Sequence, residues 1–190
     1  MSKQSVCYLV VDASVARAAG DPPSNCLSQV CRDFLVKMKE LEYSLYMTPA
    51  IGEEWDRHAS RFSRAWQKTM IAKRQWLYQK DSEDNALRER LEKQVLYFYP
   101  AVSDETIFNI KNAIFKDYCL IEAALASGDK RVISLDDKTA RRYFSQAAKK
   151  LPEIQGIIWV NPDKPEEDAI IWLTEGIPDE PKRYLENWIC

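Results

Sequence analysis

Six acidic residues in this chain stand where a parallel sheet would gather them. Asp12 directly follows an apolar run at 7–11 (CYLVV), and Asp136 and Asp137 follow a second at 131–135 (RVISL). Glu53 and Glu54 come shortly after a third, 43–48 (YSLYMT), and Asp117 lies near the start of a helical stretch at 115–126. Short continuous runs rich in β-branched residues read as buried strands. Carboxylates crowded at one point repel each other, so such a cluster normally holds a cation. An oxygen-only donor set, without His or Cys, selects hard cations such as magnesium or manganese. An ion of that kind polarises a phosphoryl oxygen, lowers the pKa of an attacking water and stabilises the leaving oxygen. Each acid alone has a plainer reading. Asp12 could cap the following turn, Glu53, Glu54 and Asp117 suit the positive end of a helix, and Asp136 or Asp137 could cap the next helix. The case rests on their joint occurrence at strand ends. Glu122 reads as a solvated or supporting residue and His58 as a surface one.

The elements that must position these residues follow from pattern. Besides the three strands above, 157–160 (IIWV) reads as a fourth. Asn25 is placed to cap a helix over 26–42, and Pro49 suits the first turn of a long helix running to about residue 79. Further helices are expected over 81–99 (stopped by Pro100), from Ser103, over 115–126 (ending near Gly128), over 138–150 and near 166–175. The tail after Pro178 is expected to pack back through Tyr184, Leu185 and Trp188. Strands alternating with helices imply βαβ crossovers, a mostly parallel central sheet and a three-layer α/β/α architecture. Ligands bind such sheets outside the carboxyl ends of the strands, which is where the acids lie.

Composition bounds the rest. The 190 residues suit one domain, 1–190, and carry no Gly/Ser- or Pro-rich linker. Five cysteines at irregular spacing and a single histidine argue against a structural zinc site or a disulfide framework, and toward reduced, mostly buried thiols in a cytoplasmic protein. No stretch approaches the roughly 20 apolar residues of a membrane span, and the first residues lack a signal-peptide pattern. The formal net charge of −2 points to no nucleic-acid partner, so any such case must rest on local charge.

Four segments together resemble the PIN-domain family of nucleases: VVDASV at 10–15, TPAIGEEW at 48–55, KDYCLIEAAL at 116–125 and VISLDD at 132–137. They occur in the family's order and span the core from residue 7 to about 160. The resemblance implies that Asp12, Glu54, Asp117 and Asp136 are catalytic and bind Mg2+ or Mn2+. Glu54 is preferred because Trp55 follows it, with Glu53 as competitor. Asp137, Ser14 and Ser134 stand as alternates or supporting residues. The resemblance further implies a PIN-like fold and phosphodiester hydrolysis, usually of RNA and often in toxin–antitoxin or defence settings. An antitoxin, another protein partner or a homodimer would fit it. The charged segment at about 56–100 reads as a helical insert beyond the smallest family members.

Within that insert Arg57, Arg61, Arg64 and Lys68 fall on one face at helical spacing, opposite Trp55, Ala59, Phe62, Trp66 and Met70. The basic face suits a phosphate backbone, or equally a solvated surface paired with the acids of 81–92 in a helical hairpin. Two other functions stand beside a nuclease. One is a catalytically silent PIN-like module that binds RNA or protein. Against it, Asp12, Asp117 and Asp136 are all present. The other is a doubly wound phosphatase or receiver. Ser14 occupies the place of the second phosphatase Asp, and the acidic pair is out of receiver order.

Overall fold

The computed structural model describes residues 6–20, 25–80, 84–98 and 103–189. At its centre is a sheet of five strands, all parallel, in the order β3-β2-β1-β4-β5. The strands are β1 (Tyr8–Val11), β2 (Ser44–Met47), β3 (Trp76–Tyr78), β4 (Arg131–Ile133) and β5 (Ile158–Val160). β1, β2 and β5 are apolar nearly throughout because helices flank the sheet, as in a three-layer α/β/α protein. The chain lays β2 and then β3 on one side of β1, and β4 and then β5 on the other. The order reverses between β1 and β4, and a crevice opens at their carboxyl ends. Asp12 N–H donates to the Ile133 carbonyl at 2.9 Å, which locks the strand end carrying Asp12 against the one carrying Ser134.

Local chemistry sets the helix ends. α1 (Ala13–Ala18) begins directly after Asp12. Asn25 accepts from Ser28 N at 2.8 Å and caps α2 (Cys26–Glu40). Pro49 opens α3 (Pro49–His58), where its missing N–H is no loss. α5 (Asn85–Phe98) and α6 (Asp104–Phe115) pack on each other, and the expected start at Asp81 and stop at Tyr99–Pro100 lie outside the described residues. α7 (Tyr118–Ser127) crosses β1, β2 and β4 and ends at Gly128, whose φ of +80° is the left-handed conformation that closes a helix. α8 (Arg142–Ala148) follows a π-helical turn at Asp137–Arg141, and α9 (Ala169–Thr174) packs on α2. Behind β5 the tail returns through a bridge from Tyr184 to Ile158 and the fully buried Leu185. No helix among the described residues is long and apolar enough to cross a membrane.

Three expectations change. The long helix from Pro49 is two helices, because Ala59 leaves helical geometry and Ser60 starts α4 (Arg61–Ala72), its hydroxyl accepting from Ser63 N at 3.1 Å. The segment at 56–100 is not purely helical, since it supplies the edge strand β3, paired to β2 from Leu45↔Trp76 to Met47↔Tyr78. The acidic arm of the alternative hairpin, 81–92, lies partly outside the described residues, and α4 packs on α2. There Trp66 donates its indole N–H to the Leu35 carbonyl at 2.7 Å. The four described cysteines are free, as expected, but only Cys31 is buried.

Candidate active site

Asp12, Glu54, Asp117 and Asp136 line one cavity of about 600 Å³ at the carboxyl edge of the sheet, and Ser14 and Asp137 share its walls. Four separate elements bring them there. Asp12 directly follows β1, and Asp136 lies three residues past β4. Asp117 immediately precedes α7. Glu54 rides on α3, which Trp55 ties to β1: its buried indole N–H donates to the Val11 carbonyl at 2.9 Å. Burying a side chain of that size stabilises the fold by about 3 kcal/mol, so a core residue anchors the stretch of α3 that carries Glu54.

The Asp12 carboxylate is held from two sides. Ser14 Oγ donates to its Oδ2, and Ser134 Oγ donates to the same oxygen at 2.8 Å. Ser14 also accepts from Leu135 N at 3.1 Å, which ties the start of α1 to the end of β4. Burial is the chief influence on Asp12 and pushes its pKa up, while the two hydroxyls oppose that rise. Asp136 is fastened on one side, its Oδ1 accepting from Thr139 N at 2.8 Å. Glu54 faces Arg57 at 3.1 Å and His58 at 3.3 Å.

Asp117 differs from the other three. Its carboxylate caps no backbone N–H and has no hydrogen-bonding or ion-pairing partner among the described residues. Burial first, and then the charges of Asp12 and Asp136, raise its pKa from 3.8 to about 8; Lys116 pulls it down, and Glu54 adds the smallest push upward. The same three carboxylates that share its cavity thus act on it electrostatically.

The acids share a cavity without forming a closed ligand shell. No three His, Cys, Asp or Glu side chains among the described residues stand in a set able to hold a metal ion as they lie. Glu54 is turned to its own helix, and Asp136 is spent in part on a cap. The donor chemistry suits a hard divalent cation, and Glu54 is engaged with Arg57 and His58.

Other residues singled out from sequence lie as follows. Glu53 does not line the cavity; its side chain is 72% exposed and pairs with Arg57 at 3.4 Å. Asp137 is braced by Arg141 at 3.2 Å and by Asn161 Nδ2 at 2.7 Å. Glu122 is not solvated: it is buried and grips Arg88 in a fork of two 2.7 Å bonds. His58 is at the surface but also on the cavity wall. Arg57, Arg61, Arg64 and Lys68 are exposed, yet they do not share one helical face, because the break at Ala59–Ser60 puts Arg57 on α3 and the others on α4. Arg64 spends its guanidinium on the carbonyls of Asp56 at 2.7 Å and Ala59 at 3.1 Å, closing the end of α3. Sequence reasoning missed the cations on the cavity wall itself, Arg17, Lys138 and Lys164. The strand-end rule applied to the acids would have found two of them, since Lys138 adjoins Asp137 and Lys164 closes the loop after β5. No protein-family model, curated protein or solved structure matches the chain.

Proposed function

We propose that the chain is a PIN-like, divalent-metal-dependent nuclease that hydrolyses phosphodiester bonds in RNA, an endoribonuclease of the toxin or defence type. The observation that carries this reading is Asp117. A largely buried carboxyl without a partner, sharing one cavity with three further carboxylates, stays protonated at neutral pH and ionises readily only when positive charge joins it. Asp12, Asp117, Asp136 and Glu54 would hold Mg2+ or Mn2+. When bound, such an ion supplies Lewis-acid polarisation of the phosphate and eases ionisation of the attacking water. The chain's own residues do the rest. Ser14 and Ser134 fix the orientation of Asp12. The cap to Thr139 fixes Asp136. Arg17, Lys138 and Lys164 offset the negative charge of an incoming phosphate at the cavity wall. Glu54 is the adjustable member, because it must exchange Arg57 and His58 for the cation.

That same exchange favours a second reading, a catalytically silent PIN-like module that binds RNA or protein, in which Glu54 stays on its helix. Asp12→Asn decides between them. It keeps the size and removes the charge, so the fold should survive while cleavage of RNA in manganese falls by at least a hundredfold, on the order of one lost charge-stabilising group. Undiminished cleavage by a folded Asp12→Asn chain, or cleavage by the wild type in chelator, rejects the metal-dependent nuclease. No cleavage by the wild type in magnesium or manganese favours the silent module.

A further inference from the structure

The walls of the acidic cavity continue into a groove. Lys138 and Lys164 line the acidic cavity and also line a second one of about 420 Å³, whose walls include Arg142, Trp188 and the exposed Ile189. Lys138, Arg142 and Lys164 are exposed. Among the described residues Lys138 and Arg142 have no ion-pair partner, and Lys164 comes only to 4.0 Å from Asp137. The acids beneath them are already compensated from inside the protein. Arg141, 1% exposed, donates to Asp137 at 3.2 Å and to Glu167, and its remaining Nη donates to the Trp159 carbonyl at 2.8 Å. The Arg141 guanidinium also lies 4.8 Å from the centre of the Trp188 ring. Arg141, with the buried Arg183 at 4.0 Å from Glu167, offsets the two acids at the floor of the groove, and Arg141 also fixes an aromatic ring on its wall. Trp188 is only half-buried, so the ring remains available to the groove. Glu166, exposed on the same wall, is the one acid there with no cation beside it among the described residues.

We propose that this groove is a binding track for single-stranded nucleic acid, in which Lys138, Lys164 and Arg142 hold backbone phosphates and Trp188 stacks an unpaired base, leading the strand to the carboxylates. The proposal rests on the reading of the substrate as a phosphodiester chain and names the path it takes. Cations that track a backbone, combined with an aromatic ring for a base, are what single strands need. A duplex hides the faces of its bases and gains nothing from Trp188.

The test is binding in chelator, where cleavage is off, of a fluorescein-labelled single-stranded RNA of about twelve nucleotides and of its duplex. The wild type should bind the single strand more tightly. Lys138→Ala with Lys164→Ala should flatten the salt slope by up to about 1.4, at about 0.7 per phosphate contact. Trp188→Ala should weaken single-strand binding about tenfold and leave the duplex nearly unchanged, whereas Trp188→Phe should retain most of the affinity. Because Trp188→Ala also uncovers Arg141, Glu166→Gln serves as an independent arm that leaves the ring in place; removing its repulsion should tighten binding. Unchanged affinity and slope in the double lysine variant, a duplex bound as tightly as the single strand, or no binding by the wild type each overturn the track. Cleavage in manganese is read separately. Cleavage by the wild type with binding unaltered in the variants overturns the track and leaves the nuclease. Binding along the track without cleavage supports the track and removes the nuclease.

Discussion

Asp117→Asn should make the protein more stable at alkaline pH while removing its response to divalent cations. The wild-type carboxyl is raised from 3.8 to about 8, by burial first and by the charges of Asp12, Asp136 and Glu54 after it. Because the folded value lies above the unfolded one, the stability tied to this group is complete below about pH 4 and is lost as pH climbs through about 8. Over that window the folded state binds the extra proton, so stability falls by about 1.4 kcal/mol per pH unit. The whole displacement sets a ceiling of about 6 kcal/mol. Asp117 keeps some surface in solvent, and an expected gain of about 2–3 kcal/mol for the asparagine variant at pH 9 allows for relaxation around it. For a chain of this length that corresponds to a Tm higher by roughly 5–10 °C. Near pH 4 and below the two proteins should melt together, since the carboxyl is then largely protonated in the folded and the unfolded chain alike. Manganese at about a hundred times its Kd should stabilise the wild type by about 2.7 kcal/mol and the variant by far less. The assay is thermal melting from pH 4 to 9, with manganese and with chelator. Parallel pH profiles for the two proteins would refute the electrostatic coupling, and equal manganese shifts would refute a cation role for Asp117.

Two further substitutions probe the supports of the site. Ser134→Ala removes the 2.8 Å hydroxyl bond to Asp12 and should cost about 1–3 kcal/mol of stability, read as a lower denaturation midpoint; no loss would mean that Ser14 alone satisfies that oxygen. Glu122→Gln halves the fork to Arg88 that joins α7 to α5, and should cost about 2 kcal/mol with little effect on manganese binding. A manganese affinity that falls with Glu122→Gln would instead place Glu122 in the metal's surroundings.

Much of this arrangement is legible in the sequence because burial on both faces leaves a plain mark. CYLVV, YSLYMT, RVISL and IIWV read as strands, and the acids after the first three follow the strand-end rule. β3 escapes that reading: Trp76–Tyr78 is three residues long, sits at the sheet edge and is partly exposed, so it lacks the continuous apolar run of a central strand. The break before α4 escapes for a different reason. The spacing from Trp55 to Met70 fits one helix, and only the capping Ser60 marks the interruption. Residues that act through tertiary partners left no sequence signal at all. Arg141 is sequestered by Glu167 and covered by Trp188, and Glu122 meets Arg88 across 34 positions of chain.

Diffraction from crystals soaked in manganese, read by anomalous scattering, tests the central claim most directly. A peak is expected within coordination distance of Asp12, Asp117 and Asp136, with Glu54 turned from Arg57 and His58 toward it, and it should be lost in Asp12→Asn crystals. A cavity without a peak at saturating manganese, or a peak bound only elsewhere on the protein, would contradict it.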